Sequence, residues 1–416
     1  IILGIGMAGD ANVIIYARIR EEIAAGKSVK SAIDIGFKKA LSAILDGNIT
    51  TLIAAIVLGI MGTGSVKGFA YTLAMSIILS MFSALVISRY LAKAFYALGF
   101  QDVKYYGCPK KHNTIDFLKH KKVFFAIAIV CMISGPAAML IHSQGGGKAL
   151  NYSLEFMGGT STNVTFNEDY SIEEIDEKVK PVVQEVTGDA NIQATKVSGS
   201  NQVIIKTREL SLDERTELSQ KLNEKFGVDE STITAESISS TVSNEMRQDA
   251  IVAVIIAAIC MLIYIWLRFK DIRFGASAVL ALLHDVLIVL AFYAIARISV
   301  GNTFIACMLT IIGYSINASI VIFDRIRENL GNSKKHSDEA LKEIVNRSIT
   351  QTLTRSIYTS LTTFITIAAL FILGVPSIRE FAAPLMVGIV AGAFSSVCIS
   401  GPLWYTLKTK FKSKNK

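Results

Sequence analysis

The chain has 416 residues, of which 51% are hydrophobic and only 18% charged, against roughly 25% charged residues in ordinary soluble domains. Its formal charge of +8 is uneven: residues 143–247 are net −8 and the remainder is net +16. The basic residues stand at the ends of apolar runs, which fits membrane topology and speaks against a nucleic-acid partner.

A spanning helix needs about 20 mostly apolar residues. Nine stretches qualify in chain order: 1–17, 41–61, 68–92, 122–142, 248–267, 274–296, 303–323, 355–374 and 380–407. The first opens inside an apolar run, Ile1-Ile2-Leu3, so the sequence reads as a piece of a longer one. Segments 18–39, 93–122, 268–273, 324–355 and 408–416 carry 6, 7, 3, 7 and 5 Lys/Arg, whereas the hairpins near 62–67, 297–302 and 375–379 carry one each. Nine alternating spans put all the basic segments on one side, the cytoplasmic side by the positive-inside rule, and segment 143–247 on the other. Cys131, Cys260, Cys307 and Cys398 lie in apolar runs, and no cysteine lies in 143–247, so no disulfide frames that segment. Cys108 and His112 form a lone pair and read as linker residues rather than metal ligands.

Segment 143–247 reads as α+β. Alternation predicts strands at 150–156 and 161–166, with Gly158-Gly159 as a turn between them. A helix over 171–187 follows, opened by the capping-box pair Ser171 and Glu174. Strands near 190–197 and 202–207 come next. Ser211 and Glu214 open a helix over 211–226, and a strand near 231–237 closes a split-βαβ, ferredoxin-like module.

The membrane part repeats. Residues 6–21 match residues 313–328 at a constant offset of 307, pairing Gly6 with Gly313, Asp10 with Asn317, Arg18 with Arg325 and Glu21 with Glu328. Each copy is followed by a span carrying Thr-Thr (Thr50-Thr51, Thr362-Thr363). Repeats of this kind build transporters in two halves with the working site at their interface. The fold class expected is therefore a polytopic α-helical membrane protein of about nine spans in two pseudo-symmetric halves, with one α+β ferredoxin-like extracytoplasmic domain.

Ionisable groups inside spans are functional hypotheses by default. Asp10 sits eight residues, or about 12 Å, from the next charge, Arg18. Out of water, it is a place for a coupling ion to bind, or a structural group satisfied by its neighbours. Arg355 heads a stripe with Thr359, Thr362 and Thr366, on one helix face by its spacing. It either lines a polar seam or snorkels to the cytoplasm. His284-Asp285 is a proton relay or a structural pair. Asp46 reads as a solvated helix-end residue.

Taken together, residues 6–21, Gly158-Gly159-Thr160, His284-Asp285, 313–329 and the Arg355…Thr362-Thr363 stretch resemble the SecD/SecF protein-export family, a branch of the resistance–nodulation–division transporters. The resemblance divides the chain into the last three membrane helices of a SecD-like half (1–95), a cytoplasmic basic linker (96–121), the first helix of a SecF-like half (122–142), the extracytoplasmic domain (143–247), a five-helix remainder (248–407) and a basic tail (408–416). It implies a bacterial inner-membrane protein that assists the Sec translocon, with translocon channel subunits, unfolded secretory polypeptides and membrane lipids as partners. The coupling ion would be H⁺ or Na⁺, with no other cofactor. It implies ion coupling by Asp10, Arg355, Asn317, Asp285, His284 and Thr362, with Arg355 the partner of the motif carboxylates. One position departs: the family usually has Asp after the motif Asn, and Ala318 stands there. Competing readings are an exporter of lipids or drugs from the parent superfamily and a passive translocon scaffold. No constellation for an enzyme in the strict sense is seen.

The charge asymmetry makes a direct prediction. In a cysteine-free background, a single cysteine replacing Ser200 is labelled by an impermeant thiol reagent in intact cells, whereas one replacing Ser333 is labelled only after permeabilisation. Labelling at position 333 in intact cells overturns the orientation.

Overall fold

A computed structural model describes residues 2–62, 64–107, 113–144, 149–189, 192–197, 199–269, 271–331 and 337–410; the Cys108–His112 pair and part of the expected strand at 190–197 lie outside them. In chain order the helices are α1 (Ile2–Ala24), α2 (Val29–Met61), α3 (Gly64–Phe82), α4 (Ser88–Ala97), α5 (Lys121–Gln144), α6 (Leu154–Met157), α7 (Ile172–Glu174), α8 (Lys180–Thr187), α9 (Leu212–Phe226), α10 (Ser240–Phe269), α11 (Ile272–Ala296), α12 (Asn302–Gly331), α13 (Asp338–Leu373), α14 (Pro376–Ser395) and α15 (Gly401–Lys410). The strands are β1 (Gly159–Thr165), β2 (Gln193–Lys196), β3 (Gln202–Thr207) and β4 (Thr234–Ile238). The chain divides into two compact units, one of residues 152–251 with 299–302, the other of the rest.

Among the described residues, eight helical stretches are long and apolar enough to cross a membrane: α2, Val66–Ala97, α5, α10, α11, α12, α13 and Ile378–Lys410. The ninth expected span falls on α1. The apolar window of α12 is 83% buried and that of α5 only 11%, so α12 is a central helix and α5 presents most of its surface outward. Several helices run past the expected spans, because polar caps set their ends. Ser28 accepts the Ser31 amide to start α2, and Ser337 accepts the Ala340 amide to start α13. The basic gap expected at 324–355 is thus mostly helix. Arg355 lies 17 residues into α13, roughly 25 Å along its axis. Gly62 and Gly374 end α2 and α13 at an offset of 312, the offset that also relates Thr51 to Thr363. Segment 113–120, within the expected linker, is strapped to the polar start of α13. The Ile115 amide donates to Thr350 Oγ1 (3.0 Å), the Leu118 amide to Asn346 Oδ1 (3.1 Å), and Lys342 pairs with Asp116 (2.8 Å).

The smaller unit is a four-stranded antiparallel sheet in the order β2-β3-β1-β4 with α7–α8 and α9 as crossovers, the ferredoxin-like arrangement expected. Val164, Val203 and Ile205 of the sheet meet Val179, Val183, Leu218 and Leu222 of the helices in one core. Both capping boxes form: Ser171 with Glu174, and Ser211 with Glu214. Pro181 cannot donate to the carbonyl four residues back, and α7 and α8 are joined there by a wider turn, Ile175–Val179. The expected strand at 150–156 does not form. Tyr152 makes a single bridge to Val300, after which Ser153 opens the short helix α6, burying Leu154 and Phe156. A two-residue alternation over so short a run does not separate a strand from one helical turn. Gly158 ends that turn at φ 73°, and a Cβ on Gly159 would stand 2.1 Å from the Thr207 carbonyl oxygen, so the Gly-Gly pair serves the backbone.

The caps carry a pH signature. The Ser171 amide and Lys178 hold the Glu174 carboxyl at about 2, and Arg208 with the Ser211 amide holds Glu214 at about 2. Both lie below the ordinary 4.5, so their contribution is complete above pH 4.5 and is lost as pH falls towards 2. Hydrogen exchange at the start of α9 is expected to speed up in that window, and Glu214→Gln is expected to abolish the pH dependence. An unchanged profile in Glu214→Gln contradicts this.

Candidate ion-coupling site

The two repeat copies pack reciprocally. A Cβ on Gly6 of α1 would stand 3.3 Å from Thr366 Oγ1 and 3.5 Å from Thr363 Cα of α13. A Cβ on Gly313 of α12 would stand 3.1 Å from Thr51 Cα of α2. Each repeat glycine therefore lies against the Thr-Thr helix of the opposite half, where a small residue lets backbones approach. Closer still, a Cβ on Gly47 would stand 2.0 Å from Asn317 Oδ1, so α2 accommodates the Asn317 amide only because position 47 has no side chain.

Asp10 and Asn317, the symmetric pair, meet at this crossing. Asp10 is 7% exposed, and both its Oδ1 and Asn317 Oδ1 are buried without a hydrogen-bond partner. The two residues line a cavity of about 10 Å³ with Thr51 and Tyr314. They also line a second cavity, of about 20 Å³, with Ala318, Arg355, Ser356 and Thr359. A third of about 20 Å³ continues from Arg355 to Arg18, Glu21, Asp324 and Arg325. Each of the larger two has room for roughly one water. Among the described residues Asp10 and Arg355 form no direct ion pair; they share one of these one-water cavities. Arg355 lines this cavity from well within α13 rather than from its end, so it does not snorkel.

Below Arg355 the halves are closed by four charges related by the 307 offset. Arg18 reaches Glu21 (2.9 Å) and Glu328 (3.3 Å). Arg325 reaches Glu328 (3.4 Å) and, closer, Glu21. Every member contacts its own copy and the other copy. All four stand in the aligned motifs, so the constant offset was the sequence signal for this ring.

The other expected site residues are not brought to this place. Thr362 is exposed and spends its hydroxyl on the carbonyls of Tyr358 and Thr359. The buried face of α13 is instead Thr352, Ser356, Ser360 and Thr363, one residue over, with Thr363 Oγ1 3.4 Å from the Tyr314 hydroxyl. His284 and Asp285 line none of the three polar cavities. Asp285, fully buried, accepts from His284 Nδ1 (2.8 Å), the Ser395 hydroxyl (2.7 Å) and the Ser315 hydroxyl, tying α11 to α12 and α14. Asp46 is not a solvated end residue: it is 6% exposed and receives Arg268 and the Tyr264 hydroxyl, both at 2.7 Å. Sequence spacing held no sign of that pair, because its partners lie more than 200 residues away on α10.

The family model described as "Protein export membrane protein SecD/SecF, C-terminal" matches residues 1–97 and 218–410. The chain belongs to the SecD/SecF protein-export family. It is 35% identical to the protein translocase subunit SecDF of Bacillus subtilis (strain 168), over all of this chain and 57% of that one. It is 36% identical to the protein translocase subunit SecF of Sebaldella termitidis, over 65% of this chain and 85% of that one. Among solved structures, SecDF of Thermus thermophilus, described as a translocon-associated membrane protein, superposes with a TM-score of 0.84 at 33% identity, over 98% of this chain and 54% of that one. The chain thus spans little more than half the length of these SecDF relatives.

Within the SecD/SecF fold, Ala318 opens onto the cavity that Asp10 and Arg355 share. The site is polar, so Ala318→Asp is expected to express at the wild-type level and to cost less than ~2 kcal/mol of stability, against several for a carboxylate in a dry site. Collapse of expression or a large drop in melting temperature shows that the cavity does not accept a second acid.

Proposed function

We propose that this chain is part of an accessory subunit of the Sec protein translocase in the bacterial cytoplasmic membrane, and that it uses the transmembrane ion gradient to promote export of secreted polypeptides. Its relatives among the protein translocase subunits SecDF and SecF support the translocase role. The observation that carries the ion step is Asp10, the one titratable member of the Asp10–Asn317 pair, buried with a free oxygen beside a one-water cavity it shares with Arg355. Asn317 cannot ionise, so H⁺ or Na⁺ binds at Asp10. Binding neutralises the carboxylate and leaves the Arg355 guanidinium without a counter-charge across the cavity. The halves then favour a different packing, provided the two packings differ by only a few kcal/mol. Secretory polypeptides are received by the smaller unit at β2 or β4, each paired on one side only, through backbone hydrogen bonds that do not require a particular sequence.

Asp10→Asn tests the ion step, since it keeps the size of the side chain and removes its charge change. The variant is expected to remain folded and in complex while gradient-stimulated export falls to the level seen without a gradient. Full gradient-stimulated export by Asp10→Asn removes the motor reading and leaves a scaffold.

A further inference from the structure

An ion that reaches Asp10 also needs a way to leave, and the three polar cavities outline one. Ile14 lines all three; Asp10, Tyr314 and Asn317 line the first two; Val321 and Arg355 line the second and third. The cavities therefore adjoin in a row, from Asp10 past Arg355 to the charge ring. That end of α1 lies on the cytoplasmic side by the charge asymmetry. Arg18, Glu21 and Arg325 line the last cavity, whereas Glu328 is not among its lining residues. The side chains of Arg18 and Arg325 are 10% and 13% exposed, and that of Glu21 is 37% exposed. The other acid of this cavity, Asp324, is 20% exposed and is held by Arg268 (3.6 Å) and Arg327 (2.9 Å) from outside the lining. Glu21 is thus the carboxylate that meets both the cavity and the solvent.

We propose that Glu21 is the exit residue for the coupling ion: an ion released from Asp10 passes the Arg355 cavity, binds the Glu21 carboxylate and leaves from it to the cytoplasm. This rests on the reading that Asp10 takes that ion. If the ion is a proton, the Asp10 carboxyl loses it to water, a Glu21 oxygen binds it, and cytoplasmic water takes it, so each carboxylate ends as it began. A sodium ion would visit the same two carboxylates. The charge of the last cavity makes the acid necessary. Three guanidinia line it, those of Arg18, Arg325 and Arg355. Without Glu21 they face Asp324 alone, and a passing cation is repelled. Loss of Glu328 leaves that lining charge unchanged. The repeat doubles the acid at this position, and the route uses one copy of it.

The test uses the full-length protein in proteoliposomes, with pH- and Na⁺-sensitive dyes reading ion entry down an imposed gradient; the dye that responds identifies the ion. Glu21→Gln should lose ion entry, Glu21→Asp should restore most of it, and Glu328→Gln should keep it. Each Gln variant removes one acid that contacts both Arg18 and Arg325. A merely structural role therefore predicts equal losses, in ion entry and in melting temperature alike. Loss of entry in Glu328→Gln equal to that in Glu21→Gln, or full entry through Glu21→Gln, overturns the assignment. Ala17 also lines the last cavity, so Ala17→Leu fills the route without removing a charge. It should lose ion entry too, and full entry through it overturns the route even where Glu21→Gln does not fold. Asp10→Asn separates the two readings. No entry through Asp10→Asn with normal entry through Glu21→Gln leaves the ion at Asp10 and removes the exit residue alone. Full entry through Asp10→Asn removes both.

Discussion

Keeping one carboxylate out of water is the constraint around which the membrane unit is arranged. Asp10 stands in mid-helix with an oxygen that no donor reaches, a state that burial in an apolar interior would penalise heavily. The surroundings lower that penalty without removing it. Gly47 lets the Asn317 amide stand against α2, and Arg355 reaches the same cavity because α13 begins at Asp338 and carries its cation far along the axis. A direct ion pair between Asp10 and Arg355 would hold one arrangement. A gap with room for one water keeps the attraction without a direct pair, which is what the proposed ion step requires.

The four-charge ring of Arg18, Glu21, Arg325 and Glu328 plays a different part. Its members are partly buried and paired through their terminal groups, although Arg325 Nε has no partner, and the ring is balanced, two acids against two bases. Such networks rarely add much net stability, since desolvation offsets the attraction, but they define geometry. Because each arginine bridges to both copies, the ring fixes the register of α1 against α12 near their charged ends.

Much of this was legible in the sequence for one reason: the repeat. The 307 offset aligned Asp10 with Asn317 and Arg18–Glu21 with Arg325–Glu328, and the split-βαβ module followed from alternation and two capping boxes. What failed has equally physical causes. The 4-3-4 spacing defines a face only to within a residue: Arg355, Thr359 and Thr366 do meet the seam, but Thr362 turns outward and Thr363 is buried in its place. Asp46 looked solvated because Arg268 and Tyr264 are far away in sequence. The alternation at 150–156 was too short to distinguish a strand from a turn of helix beginning after Ser153. His284-Asp285 was rightly seen as a pair, but only the fold shows it knotted by Ser315 and Ser395 away from the Asp10 cavity.

The halves are symmetric where they hold together and asymmetric at the cavity that Asp10 and Arg355 share. At the 307 offset the first half supplies Asp10 and the second Asn317; at the 312 offset the second half supplies Arg355 and the first Ala43, whose small side chain lines both the cavity that Arg355 shares with the charge ring and the one between Asp10, Asn317 and Thr51. One acid and one base remain from positions that the repeat doubles, each from a different half, so neither half contains the pair alone. Two acids and two bases would also balance, but their titrations would be coupled, and neutralising one acid would leave the other to hold the guanidinia. With a single pair, the proposed ion step would change the charge of that cavity with one binding event. A bistable packing poised within a few kcal/mol needs that kind of undivided input to be driven by one ion.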